Sequence, residues 1–172
     1  ILVEFCVMQD QKVLESSASI VDDLIAVNRV TKVVAGGRKL SFSACVIAGD
    51  QSGSVGYGHG KAKEVSDARA KAFQSAKKGM MKIPLFEGRT IYHDVIGHYG
   101  AGRVLVRKAP PGTGVIAGGA LRSVFKLLGV RDIVAKSLGS SNVYVMVGAL
   151  FDALKKVKAP KSISDRRGRA IN

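Results

Sequence analysis

The stretch Ser54-Val55-Gly56-Tyr57-Gly58-His59-Gly60-Lys61-Ala62-Lys63-Glu64-Val65-Ser66-Asp67 carries the densest signal in the chain. It opens as a strand near Ser54, after the turn residues Asp50-Gln51-Ser52-Gly53, and runs into Tyr57. The period then changes. Ala68, Ala72, Phe73, Ala76 and Met80 recur at helical spacing, and Lys71, Lys77, Lys78 and Lys82 lie mostly off that stripe. Ser66-Asp67 reads as the helix start, since a serine side chain accepts from free amides and an early aspartate complements the helix dipole. Gly79 and Pro84 mark its stop. The alternate glycines, beside lysines and ahead of a helix, admit two uses. Backbone without a Cβ can approach phosphate closely, or a glycine-rich strand can pack tightly on a helix. The two uses are compatible.

Upstream, Leu24, Ala26 and Val30 interleave with Arg29, Thr31 and Lys32, the pattern of a strand with one wet face. Gly36-Gly37 suits a tight hairpin whose central residues need positive φ, and residues 39–48 return. Residues 24–83 therefore read as three antiparallel strands closed by a helix. Downstream, residues 91–99 and 103–109 read as strands around Gly100-Ala101-Gly102, and Pro110-Pro111-Gly112 breaks the pattern. Leu121, Val124, Phe125 and Leu128 mark a helix ending at Gly129. Residues 130–137 form another strand candidate. Asn142 caps a second helix carried by Val143, Val147, Leu150 and Leu154, with Lys155, Lys156 and Lys158 at its end. The fold class is α+β in two small domains, a β-β-β-α unit over 22–85 and a βαβ-type unit over 86–158. Residues 1–21 form an extension, with 9–23 a polar leader. Residues 159–172 form a basic, turn-rich tail that orders only against a partner.

The chain has 172 residues and a net charge of +14, unevenly placed. Residues 1–28 hold one basic and five acidic residues; the remainder hold 26 basic and 8 acidic. Such an excess repels itself unless a polyanion neutralises it, and nucleic acid is the commonest such partner. Cys6 and Cys45 form no CxxC pair and read as reduced thiols. Residues 1–8 are apolar but too short for a signal segment or a membrane span.

Enzyme readings fail on particular residues. A Walker loop needs glycine where Val55 stands and serine or threonine where Ala62 stands; a dinucleotide loop starting at Gly56 needs a small residue at Lys61. Gly112-Thr113-Gly114-Val115-Ile116-Ala117 does match G-x-G-x-x-A, with Asp132 about 20 residues on. However, the strand before it carries Arg103, Arg107 and Lys108, whereas a central parallel strand is nearly all apolar. His59, His93 and His98 form no zinc spacing, and the carboxylates are too scattered for an acid/base pair. The expectation is no catalytic residue, no cofactor, no metal and no small-molecule substrate. The cations Arg29, Lys32, Arg38 and Lys39 flank the first hairpin, Lys61 and Lys63 precede the helix, and Lys71 lies on it. Clustered on one small unit, they point to phosphate contact, and a β-β-β-α unit suits RNA read by shape.

The same residues carry a family resemblance. Leu24-Ile25-Ala26-Val27-Asn28-Arg29-Val30, Gly36-Gly37-Arg38 and Ser41-Phe42-Ser43-Ala44 resemble the first hairpin of the bacterial-type small-subunit ribosomal protein five family. Residues 55–65 resemble that family's next strand and turn, and residues 112–122 its second-domain signature. The likeness covers residues 22–157 in order. It implies a double-stranded-RNA-binding-like N-terminal domain and a βαβ-type C-terminal domain. It further implies binding to 16S-type ribosomal RNA, small-subunit proteins four and eight as neighbours, and messenger RNA nearby. A role in subunit assembly and decoding accuracy follows, on a bacterial cytoplasmic ribosome or, alternatively, an organellar one, with no membrane. Residues 31–38 correspond to the region near the spectinomycin site. By the same resemblance, Gly112 and Arg122 are expected on the side facing protein four. Ala35 departs from the pattern, standing where a basic residue is common. The RNA-facing set is Arg29, Lys32, Gly36, Gly37, Arg38, Lys39, Gly58, His59, Lys61, Lys63, Lys71 and Arg107.

Overall fold

The computed structural model describes residues 20–168. The apolar extension and Cys6 lie outside the described residues. The first unit comprises β1 (Val21–Val34), β2 (Gly37–Gly49), β3 (Ser54–Ala62), α1 (Val65–Lys78) and the short β4 (Met81–Lys82). Its sheet runs β1-β2-β3-β4, antiparallel throughout. The second comprises β5 (Val95–Tyr99), β6 (Gly102–Lys108), β7 (Val115–Ile116), α2 (Gly119–Leu128), β8 (Ile133–Ser137), α3 (Val143–Lys156) and α4 (Pro160–Arg167). Its order is β5-β6-β8-β7; β6 is antiparallel to both neighbours, and β7 joins β8 in parallel through α2. Both units are α+β, as the sequence indicates.

The glycine-rich strand owes its composition to helix packing. Gly56, Gly58 and Gly60 are buried against α1, where a Cβ on Gly58 would overlap the carbonyl oxygen of Ala72. A Cβ on Gly56 or Gly60 would meet Ala76 and Ala68 in the same way. Ala68, Ala72 and Ala76 recur every four residues on one helix face and are fully buried. Small residues on both sides bring backbone onto backbone. The second unit repeats the device, with Gly97 of β5 lying on Ala149 and Ala153 of α3.

The two units share one apolar core. Ile47, Val55 and Ile83 from the first join Val104, Leu121, Phe125, Leu150 and Leu154 from the second. Tyr57 stacks on Phe151 at 4.6 Å between ring centroids. The amides of Gln51 and Gly53 donate to the carbonyls of Leu127 and Leu128 at 2.9 and 3.1 Å, tying the β2–β3 turn to the end of α2. One face of the first sheet is thus covered by α1. The other is covered at the Ile47–Tyr57 end by the second unit.

Several boundaries differ from the sequence reading. The sequence runs the polar leader through Asp23, yet β1 begins at Val21, because Asp22 pairs with Ala48 and its carboxylate holds Arg69 of α1 at 2.8 Å. The hairpin loop is Ala35-Gly36; Gly37, at φ 121°, is already the ladder partner of Val34. Strand β3 runs on past Tyr57 to Ala62. Helix α1 starts at Val65 after Glu64, with no side-chain cap, so Ser66 lies inside the helix. Residues 91–94 join no ladder, although Ile91 is fully buried; the strand starts at Val95. The tail forms α4, started by Pro160, whose fixed φ suits a first turn. The ends of the other helices follow the sequence. Gly129 ends α2 at φ 86°, and Asn142 caps α3 by accepting from the amide of Tyr144 at 3.1 Å.

Backbone contact leaves no room for a methyl group, so Gly58→Ala is expected to cost about 3 kcal/mol of stability in urea unfolding. Gly119→Ala, with nothing near its Cβ position and a helical backbone, is expected to raise stability by about 0.5 kcal/mol. Equal midpoints for the two variants would contradict the packing account.

Candidate nucleic-acid interface

Side chains alternate along a strand, and directly paired residues share a face. With Gly56, Gly58 and Gly60 turned into α1, Tyr57, His59 and Lys61 must point the other way. Lys61 pairs with Ser43, Ser43 with Asn28, and Lys39 with Lys32. Lys32, Lys39 and Lys61 therefore lie on the face that α1 leaves bare, Lys32 and Lys39 toward the hairpin end that the second unit does not cover and Lys61 at the margin beside Tyr144. Arg29 pairs with Phe42 and Arg38 with Val33, which puts both on the α1 side. Lys63 sits at the bend into α1 and Lys71 on its surface, and all seven cations are exposed. Gly36 and Gly37 are exposed at the hairpin tip.

None of these seven cations has a carboxylate partner among the described residues. The ion pairs present are Arg69–Asp22, Arg89–Asp132, Arg107–Asp94 and Lys156–Asp152. Lys32 and Lys39 are direct cross-strand neighbours, and like charges so placed repel.

Two expected contacts are corrected. Gly58 is buried beneath α1 and presents no backbone to a ligand. Arg107 lies on β6 of the other sheet, where Asp94 holds its Nε at 3.1 Å and also accepts from the Lys108 amide at 2.8 Å. His59 stays at the surface but is not free: its Nε2 lies 2.6 Å from Ser43 Oγ. Its ring stands edge-on to Tyr144, with centroids 5.3 Å apart. Ser43 Oγ is also 3.1 Å from Tyr144 Oη. Sequence reasoning missed Ser43 and Tyr144, because 101 residues separate them and no local pattern joins them.

The second glycine cluster is committed internally. Asp132 is buried, and its Oδ1 accepts from the amides of Gly112 and Gly114, each at 3.0 Å. Its Oδ2 accepts from Arg89 Nε and Nη2 at 3.1 and 2.9 Å. The amides a dinucleotide fingerprint would offer to a pyrophosphate are thus taken, and β7 separates the glycines from α2. The Gly114 amide, then Arg89 and the Gly112 amide, hold the Asp132 carboxyl below the usual carboxylate range, against the opposing effect of burial. Gly112 (φ 92°) and Arg122 are both exposed. Among the described residues, no three His, Cys, Asp or Glu side chains converge to hold a metal, and no helix is long and apolar enough to cross a membrane.

The fold and this surface define a two-unit α+β protein with an unneutralised cationic end, suited to a polyanion. Comparison with known proteins gives the family. The family model described as "Ribosomal protein S5, N-terminal domain" matches residues 20–84, and that of "Ribosomal protein S5, C-terminal domain" matches residues 97–167. The chain is similar to the "Small ribosomal subunit protein uS5" of Rickettsia canadensis (strain McKiel), 58% identical over 161 residues, 94% of this chain and 94% of that protein. It is likewise similar to the protein of that name from Rickettsia bellii (strain RML369-C), at 59% identity over 94% of this chain and 92% of that one. The chain belongs to the ribosomal protein S5 family.

A carboxyl depressed by folding contributes stability above its unfolded value, near 4, and that stability is lost as pH falls through the lower folded value. Asp132→Asn is therefore expected to flatten the acid side of the stability–pH profile. Asp132→Ala is expected to speed hydrogen exchange at the Gly112 and Gly114 amides. Unchanged protection at both amides would remove Asp132 as the anchor of this loop.

Proposed function

We propose that this chain is a structural, non-catalytic constituent of the small ribosomal subunit in the bacterial cytoplasm, docking on small-subunit ribosomal RNA through the open end of its first sheet. The observation that carries this reading is the set of cations there that no carboxylate of the described residues pairs, with Lys32 directly opposite Lys39. Such a pairing destabilises a free protein, and a phosphate between the two ammonium groups relieves it. Arg29, Arg38, Lys61, Lys63 and Lys71 extend the basic surface around the hairpin and onto α1. His59 stands within it, and Gly36 and Gly37 at the tip let the hairpin approach RNA without side-chain bulk. The names printed for the relatives, small-subunit ribosomal proteins, support the assignment.

The finer reading concerns neighbours. The 110–114 loop is exposed yet pinned by Asp132, and Arg122 stands on the outer side of α2. A rigid, exposed loop suits a protein contact, and we assign Gly112 and Arg122 to the face toward small-subunit protein four. Protein eight is the other protein neighbour. Messenger RNA passes nearby, where the protein supports subunit assembly and decoding accuracy.

Lys32→Gln combined with Lys39→Gln is expected to make the log–log salt dependence of binding to a small-subunit ribosomal RNA fragment shallower by about two. The same pair is expected to stabilise the free protein by roughly 0.5 kcal/mol, because the repulsion is gone. An unaltered salt slope would remove the hairpin from the interface. In a sucrose gradient the chain is expected in the small-subunit peak; its absence there would favour a free-standing RNA binder.

A further inference from the structure

We infer that the two units together form a pocket for a single unpaired RNA nucleotide, at the foot of the basic sheet face. This rests on the RNA-docking function proposed above and adds to it a ligand of a different kind from backbone phosphate. The pocket is about 330 Å³ and is lined by Asn28, Val30, Ser43, His59, Lys61 and Tyr144. It is an open cleft at the lower end of the size range of small-ligand sites and too small for a duplex.

Its chemistry is not that of a phosphate clamp. Among the described residues Lys61 is the one cation that lines it, and no carboxylate does. The remaining polar groups are an amide, two hydroxyls and an imidazole. Ser43 is almost wholly buried, and both Tyr144 Oη and His59 Nε2 meet its hydroxyl. If Tyr144 donates to Ser43 and Ser43 donates to His59 Nε2, every group in the chain is satisfied. His59 Nδ1–H is then left to donate outward. The Asn28 side chain adds one acceptor and two donors beside it. Two aromatic rings held edge to face offer a surface on which a base can stack.

This combination reads a base edge and a ribose 2′-hydroxyl, while Lys61 takes the adjoining phosphate. The 2′-hydroxyl both donates and accepts, as do the groups that face it. A paired base cannot enter, since its edge is occupied and its neighbours are stacked. The nucleotide must therefore come from a bulge, loop or junction. The position of Tyr144 makes the pocket a joint product. Asn28, Ser43, His59 and Lys61 come from β1, β2 and β3, and Tyr144 from the first turn of α3, so neither unit has it alone.

The test uses the full chain and two synthetic RNAs, a duplex of about 16 base pairs and the same duplex with one bulged nucleotide. Fluorescence anisotropy is expected to show the bulged RNA bound about tenfold more tightly, the scale of one stacked base. Asn28→Ala with Tyr144→Phe is expected to bring that ratio to about one. Asn28 is exposed, so Asn28→Ala alone, lowering the ratio, serves if the Tyr144 change unfolds the chain. A 4-thiouridine at the bulge is expected to cross-link to the peptide holding His59 or Tyr144. A ratio of one for the unaltered chain, or a ratio the substitutions leave intact, overturns the pocket while salt-dependent duplex binding stands. Failure to bind either RNA overturns the docking reading and the pocket with it.

Discussion

The contact between β3 and α1 sets the orientation of everything on the first sheet. Three glycines on the strand meet three alanines on the helix, and backbone lies against backbone. Once that face of β3 is fixed, strand alternation leaves no choice for the other. Tyr57, His59 and Lys61 must project together from the far side. Tyr57 then finds Phe151 and seals the second unit to the sheet, His59 finds Ser43 and Tyr144, and Lys61 reaches the open end. A one-residue slip of β3 would put lysine and histidine under the helix and glycine outside. The glycines shape the open surface indirectly, by aiming the residues between them.

The second consequence of that packing is how the two units join. In an isolated β-β-β-α unit the face opposite the helix is open along its length. Here the end near Ile47 and Tyr57 is covered by α2 and α3, with Ile47, Val55 and Ile83 in the same core as Phe125 and Leu150. Burying one such side chain contributes about 2–3 kcal/mol, so the junction is part of the fold rather than a contact between independent bodies. What stays exposed is the hairpin end, with Lys32 and Lys39 on it and Lys61 at its margin. The second unit therefore determines which part of the first sheet a ligand can reach.

Much of this was legible in the sequence because the signals are local. The 3.6-residue stripe of Ala68, Ala72 and Ala76, the left-handed Gly129 and the Asn142 cap each act within one turn of chain, and the structure follows them. The plan of three strands and a helix was equally plain. What escaped depends on partners distant in sequence. The glycine-rich strand allowed two uses until α1 was seen lying on it, and Gly58 was then withdrawn from the surface. Arg107 belongs to the RNA-facing set by its charge alone, and only the β5–β6 register brings Asp94 to it. The sequence puts the start of α1 at Ser66 because serine is a good capping residue by type, whereas the cap position is the extended Glu64, two residues earlier. His59 was found as a lone ring; its partner Tyr144 belongs to another unit.

The placement of the acids explains why the cationic end stays unneutralised. Of the eight carboxylates after residue 28, four accept from backbone amides. Asp50 holds Ser52 and Ser54, Asp94 holds Lys108, Asp132 holds Gly112 and Gly114, and Asp152 holds His98. Those amide bonds lead in lowering the carboxyls of Asp94, Asp132 and Asp152; in Asp50 burial pushes upward, and the amides of Ser52 and Ser54 outweigh it. Each is tied to a turn or strand end and cannot swing toward the hairpin without releasing backbone. Three of the four also pair with a cation of their own neighbourhood, in the second unit. Turn geometry and charge separation are thus one arrangement: the acids that shape the loops are the ones withheld from Lys32, Lys39 and Lys61. A polyanion arriving at that end meets cations with no carboxylate partner among the described residues, and the field it meets is built into the backbone rather than into flexible surface pairs.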